Sequence, residues 1–207
     1  MDVDGDPLGV LARWIGEAEA AGLPGPSTMT LATAGADGVP QARTVLVTAL
    51  DVDSLRFHSS TPTRKTVDIA ANPRVSAVFH WPALGRQVVL AGTAELLDAE
   101  TSRVAFPTRP RPLQLVAWAY EELTPVLRGP DHAVAPGAVE AAFAAAAARD
   151  PATLPMPASW TTVRVVPARM DFWRAGTADT PPTRTRFVRE NGAEARPDGW
   201  RHFPVLP

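Results

Sequence analysis

The 207-residue chain contains no cysteine, which excludes disulfide frameworks and thiolate-ligated metal sites. No apolar run approaches the roughly 20 residues that span a bilayer as a helix. The opening Met1-Asp2-Val3-Asp4-Gly5-Asp6 is acidic, the wrong chemistry for a signal peptide, and a soluble cytoplasmic protein is expected. Excess charge is also lacking. With 20 Lys and Arg against 22 Asp and Glu, the net charge of −2 gives no reason to expect a nucleic acid or a membrane as partner. The four histidines (His58, His80, His132 and His202) form no i,i+4 pair, so no metal site is expected. P-loop, Gly-x-Gly-x-x-Gly and Gly-x-Ser-x-Gly signatures are missing, and Glu121-Glu122 reads as a solvated helix face.

What the chain does have is a group of cations at strand edges. Arg43 lies near the start of the strand Ala42-Arg43-Thr44-Val45-Leu46-Val47. Arg64 and Lys65 follow a second strand, Leu55-Arg56-Phe57-His58-Ser59, and open a short helix for which Thr61 is a possible cap and Pro62 a first-turn residue. Helix N-termini attract anions, and neighbouring Arg and Lys strengthen the effect. The cluster reads as a seat for the phosphate of a small ligand. The plainer reading of Arg64-Lys65 is two solvent-facing charges. Likewise Gln87 can be an edge-strand amide or a partner for a heterocycle with both donors and acceptors, and Trp173 can be ordinary core.

Length suits one domain over residues 1–207, with an N-terminal helix and lead-in (1–26), a barrel core (27–97), a helical insertion (98–158) and C-terminal strands (159–207). Asp6-Pro7 reads as a cap and first-turn proline before Leu8, Leu11, Ile15 and Ala18 at helical spacing. Strands are predicted over 29–33 and 42–50, flanking the Asp37-Gly38 hairpin signal, then up to Ser59, over 75–80 and over 86–97. Helical pieces are expected over 99–106, 113–120 and 136–148, followed by a proline-dense connector over 150–157. Further strands are expected over 162–166, 170–173, 185–189 and 200–205. Tight connections and one short helix among the first five strands point to a closed or nearly closed antiparallel barrel.

Taken together and in order, these motifs resemble the pyridoxamine 5'-phosphate oxidase family. The similarity runs through Asp6-Pro7-Leu8, Met29-Thr30-Leu31-Ala32-Thr33, Gly38 to Leu46, Thr63-Arg64-Lys65 and Ala71-Asn72-Pro73-Arg74. It continues through Phe79-His80-Trp81, Leu84 to Val88, Arg109-Pro110-Arg111, Gln114, Ala117-Trp118, Pro155-Met156-Pro157, Trp160 and Phe172-Trp173. The resemblance implies a mainly β fold with flanking helices, an antiparallel Greek-key split barrel that binds FMN. It also implies a homodimer with each FMN in a groove between subunits. Arg43, Ser59, Arg64 and Lys65 match positions that hold the flavin phosphate and neighbouring backbone, in the company of Thr44, Val45 and Leu46. Gln87 and Trp173 match ring-contacting residues, and a further family arginine corresponds to Arg184, with Arg186 as the competing register. His58 replaces a usual tyrosine, and Glu122-Leu123 replaces a Gln-Ser pair.

The family's substrate phosphate is held by Lys, Tyr, Arg and Ser. The matching positions here read Thr48, Ala105, Arg109 and Leu113, so only the arginine survives. The family's C-terminal Arg-Leu-His-Asp-Arg run is replaced by Thr180-Pro181-Pro182-Thr183-Arg184. The expected function is therefore an FMN-dependent oxidoreductase that transfers a hydride from a small cyclic substrate to flavin N5, with oxygen as acceptor. Pyridoxamine phosphate is not the expected substrate, and no catalytic side chain is assigned. The alternatives are a true pyridoxamine/pyridoxine phosphate oxidase with a rebuilt pocket, and a flavin-binding protein that has lost catalysis.

Overall fold

The computed structural model describes residues 5–127, 132–149, 154–190 and 199–207; the acidic Met1–Asp4 stretch and the start of the proline-dense connector, 150–153, lie outside them. Asp6 accepts from the Gly9 amide at 2.9 Å and Pro7 occupies the first helical position, where a missing N–H is harmless. The helix they open, α1 (Pro7–Ala20), buries Leu8, Leu11 and Trp14 against the strands that follow. Those strands are β1 (Thr28–Ala34), β2 (Pro40–Leu50), β3 (Leu55–Ser60), β4 (Arg74–Trp81), β5 (Arg86–Leu96) and β6 (Trp160–Arg174). Every pairing among them is antiparallel, in the order β3-β2-β1-β4-β5-β6, and β3 then pairs with β6 to close a six-stranded barrel. β4 returns beside β1 after the β1-β2-β3 meander, which is the Greek-key arrangement expected from the sequence.

Alternation decides which side chains fill the barrel. Leu31, Phe57, Phe79, Leu90 and Val165 point inward and are fully buried. On the opposite face, Thr30, Thr44 and Leu46 are exposed. The Asp37-Gly38 signal is a turn as predicted: Gly38 has φ of 71°, and the Asp37 carboxylate accepts from the Val39 amide at 3.1 Å.

Three local expectations need correction. The strand pieces 162–166 and 170–173 are one strand, β6, running across Pro167. The register with β5 shifts between Ala91 and Gly92, a bulge that accommodates a residue with no N–H to give. A Cβ on Gly92 would lie 2.1 Å from the Val166 carbonyl oxygen, so only glycine allows this approach. Past the bulge β6 stops pairing with β3 and instead pairs with β7 (Thr183–Arg189), which in turn carries β8 (Trp200–Pro204). Second, the short helix α2 (Arg64–Ala71) is capped two residues later than expected: Thr63 is its N-cap and the Thr66 hydroxyl accepts from the Thr63 amide at 2.8 Å. Thr61 and Pro62 precede it. Third, the helix expected from Leu113 begins at Arg111, since Pro112 sits in the first turn where proline is tolerated. This helix, α4 (Arg111–Leu123), packs on α5 (Ala138–Ala147), and with α3 (Ala99–Ala105) it covers the β3–β6 side of the barrel.

Candidate functional site

The end of β3 and the start of α2 bring Ser59, Thr63 and Lys65 together. Lys65 Nζ donates to Ser59 Oγ at 3.0 Å and to Thr63 Oγ1 at 3.3 Å, and among the described residues it has no carboxylate partner. Burial, reinforced by the Arg43 charge, holds its ammonium below the usual lysine value. A half-buried cation bonded only to hydroxyls suits an incoming anion, which would restore the charge balance that burial disturbs.

Arg43 and Arg64 stand beside it but are already engaged. Both turn to Asp68, which is 2 % exposed on the inner face of α2. Arg64 Nε donates to Asp68 Oδ1 at 3.0 Å, one helical turn away, and its Nη2 donates to Asp37 at 3.1 Å. Arg43 donates to the Thr33 hydroxyl at 2.7 Å, and that hydroxyl donates to Asp68 Oδ2 at the same distance. The bond to Asp37 and then the charge of Asp68 raise the Arg64 pKa, whereas burial lowers that of Arg43 despite Asp68. Asp68 therefore fixes the two guanidinium groups, a role that the i,i+4 spacing from Arg64 could have signalled in the sequence.

A cleft of about 300 Å³ opens from Lys65. It gathers Thr44, Val45, Leu46, His58 and Ser59 with the substrate-side residues Thr48, Arg109 and Leu113, so residues from both expected groups meet in one space. Thr63, Val116, Tyr120 and Trp160 also line it. Trp160 carries the most information among these additions, because it stacks on His58 with ring centroids 4.5 Å apart and an interplanar angle of 25°. Ala105 lies beyond, in an adjoining chamber of about 210 Å³ that shares Thr48, His58 and Arg109 with the first. Burial, and then the charges of Arg109 and Arg56, push the His58 pKa down to about 4, so the ring is neutral at pH 7.

Gln87 lines a different cleft, of about 390 Å³, with His80, Val78 and Thr30; Thr44 is common to it and to the Lys65 cleft. The Gln87 side-chain amide is half-buried and bonds to none of the described residues. Trp173 and Arg184 line neither cleft. They continue the row outward, since Gln87 registers with Trp173 and Trp173 with Arg184 across β5, β6 and β7. Arg184 Nη2 donates to Asp171 at 2.7 Å, and Arg186 grips the same carboxylate with two bonds of 2.8 Å. Burial alone would push Asp171 up, but the Arg186 and Arg184 bonds outweigh it and the net shift is downward. The two registers considered for the flavin-side arginine thus converge on one buried acid, which the sequence reading did not single out. Among the described residues no group of His, Asp and Glu could hold a metal ion, and no helix is long and apolar enough to cross a membrane.

Comparison with known proteins agrees with this architecture. Residues 15–152 match the family model described as pyridoxamine 5'-phosphate oxidase. A pyridoxine/pyridoxamine 5'-phosphate oxidase of Cupriavidus pinatubonensis is 40% identical over 173 residues, covering 84% of this chain and 78% of its own. That of Burkholderia multivorans is 39% identical over 206 residues, covering 100% and 91%. The crystal structure of PhzG from Burkholderia lata 383, in complex with tetrahydrophenazine-1-carboxylic acid, superposes with a TM-score of 0.82 at 24% identity, covering 100% of this chain and 95% of PhzG. At that identity the PhzG likeness speaks to the fold, while the family match and the two relatives establish kinship: this chain belongs to the pyridoxamine 5'-phosphate oxidase family.

Proposed function

We propose that this protein is an FMN-dependent oxidoreductase acting on a small cyclic substrate other than pyridoxamine phosphate. The observation that carries the reading is Lys65, a half-buried ammonium held only by hydroxyls at the mouth of the cleft, with Arg43 and Arg64 fixed beside it by Asp68. Ser59, Thr63 and Lys65 would hold the FMN phosphate, and the β2 segment Thr44-Val45-Leu46 would run beside the chain that joins phosphate to ring. Gln87 would bond the ring edge from its own cleft, reached along Thr44. Bound FMN would supply the redox chemistry, accepting a hydride equivalent from the substrate, which also loses a proton, with oxygen as the expected final acceptor of the two electrons and two protons. The side chains bind, orient and exclude water.

A second copy of the chain completes the site in this reading. Trp173 and Arg184 lie on the sheet beyond Gln87 and line neither cleft, so a homodimer would bring them to the flavin of the opposite subunit. The sheet face between the clefts, with Thr30, Thr44 and Leu46 exposed, is available for that contact.

The substrate assignment rests on Thr48, Ala105 and Leu113, which line the two chambers with no charge. An apolar Leu113 beside a phosphate would desolvate the anion without bonding it. The second reading, a pyridoxine/pyridoxamine phosphate oxidase with a rebuilt pocket, draws support from Arg109, which lines both chambers, and from the names of the relatives. One assay separates the two: incubation of the FMN-loaded protein with pyridoxine phosphate while peroxide and pyridoxal phosphate are followed. The first reading expects no turnover above background, and robust turnover would establish the second. Purified protein that is colourless and takes up no FMN would overturn both.

A further inference from the structure

Gln87 and Trp173 belong to a longer row. His80 registers with Gln87, Gln87 with Trp173 and Trp173 with Arg184, so β4, β5, β6 and β7 each set one side chain in a line across one face of the sheet. Three of the four match flavin-ring positions of the family, and His80 extends the line at its β4 end. The inward neighbours Phe79, Trp81, Val88 and Phe172 are buried and back the row from behind. The hairpin turn beside it is pinned as well: the Ala175 amide donates to the Gly85 carbonyl at 2.8 Å, and Trp81 Nε1 donates to the Pro26 carbonyl at 3.0 Å. His80 is exposed on this rigid frame and lines the same cleft as Gln87.

Among the described residues no other titratable group lines that cleft, whose remaining walls are Thr28, Met29, Thr30, Thr44, Val78 and Gln87. The next row on the same face reads Val78, Val89, Asp171 and Arg186. It is apolar where it flanks His80, and its one acid is closed by Arg184 and Arg186. Arg86 and Arg174 flank the row on the opposite face, where they lie over the Trp14 ring at 4.9 and 5.8 Å, and Arg86 also pairs with Glu17. Histidine is the side chain that gains and loses its charge between pH 5 and 8. A proton on His80 would therefore stand in the cleft as a single positive charge, one strand away from Gln87, with only hydroxyls and an amide to answer it.

We propose that His80 is a flavin-contacting residue, lying beside Gln87 at the pyrimidine edge of the ring, and that its proton sets how strongly the protein favours reduced over oxidised FMN. Gln87 offers both a donor and an acceptor, which suits the alternating carbonyls and N–H of that edge. Reduction adds electron density at the same edge, so an imidazolium there stabilises the reduced form more than the oxidised one, and a neutral imidazole does not. The inference rests on the oxidoreductase reading for the presence of FMN and for Gln87 at the ring edge. What it adds is a pH-dependent charge at a ring whose other assigned contacts are an amide, an indole and an arginine already paired with Asp171.

The test is spectroelectrochemical titration of the FMN-saturated protein near pH 5.5 and near pH 8.5, either side of the range in which histidine titrates. The unaltered protein is compared with His80→Gln, with His80→Lys and with free FMN. At the lower pH His80→Gln is expected to favour reduced over oxidised FMN about tenfold less than the unaltered protein does, about 30 mV for a two-electron couple. At the higher pH the two are expected to coincide. His80→Lys, a cation at both pH values, is expected to keep the higher potential throughout. The same gain is read without any variant, as a rise in the potential of the unaltered protein relative to free FMN on going from the higher pH to the lower. A potential that moves with neither substitution would overturn the proposal, as would a His80→Gln effect of equal size at the two pH values. Protein that takes up no FMN would overturn the oxidoreductase reading along with it, whereas bound FMN with one potential in all three proteins would defeat this inference alone.

Discussion

Arg64 Nε lies 3.0 Å from Asp68 Oδ1, one turn along the same helix, and Asp68 is buried while Arg64 is only about a third exposed. Removing the acid would leave two guanidinium groups without their shared buried partner, because Arg43 reaches the same carboxylate through Thr33. Asp68→Asn is expected to cost about 3 kcal/mol of stability in FMN-free protein. Excess FMN should recover part of that loss, since a ligand that binds only the native state stabilises it. Thermal unfolding with and without FMN checks both parts.

Of Arg43, Arg64 and Lys65, Lys65 is the one with no carboxylate partner among the described residues. Lys65→Met is expected to weaken FMN binding by about 10–100-fold, the worth of one charge-assisted bond to phosphate. Fluorescence titration reads this directly, and riboflavin affinity should change little. An equal loss for both ligands would mean that the variant disturbs the cleft as a whole.

His58 supplies a pH dependence with a definite sign. Its pKa of about 4 lies below the ordinary 6.5, so the unfolded chain binds the proton more readily than the native one. The native state therefore loses stability as pH falls from 6.5 through 4, and above 6.5 the residue contributes no further change. His58→Gln, which cannot titrate, is expected to show a shallower fall across that window. Chemical denaturation at several pH values measures the difference between the two proteins.

Gly92 holds the point where β6 leaves β3. A Cβ there would sit 2.1 Å from the Val166 carbonyl, which no side-chain rotation relieves. Gly92→Ala is expected to destabilise by about 3 kcal/mol, at the upper end of overpacking effects. A midpoint unchanged in urea would contradict this account of the bulge.

Much of the fold was legible in the sequence because its signals are local. The Asp37-Gly38 turn, the Asp6 cap and the alternation through β4 and β5 each announce themselves within a few residues. Pro167 misleads for the same reason: within β6 it reads as a break, and only the glycine opposite, 75 positions earlier, makes continuity possible. In the candidate site the cations stood out, while the acids that position them did not. Asp68 and Asp171 look like ordinary surface carboxylates until packing buries them to 2 % and 1 % exposure and turns two arginines onto each. The hydrogen bonds from Thr48 through His58 to Thr162 depend on the closure of β3 onto β6, a contact between residues 104 positions apart.

Recognition of a flavin phosphate by the Lys65 cleft is the step on which the proposed function depends. Its most direct test compares FMN with riboflavin, which shares the ring and lacks the phosphate, in equilibrium titrations of the FMN-free protein. Two or more charge-assisted bonds predict FMN the tighter by at least about 100-fold, with a steep loss of that advantage in Lys65→Met. Equal affinities, or no binding of either flavin, would contradict it.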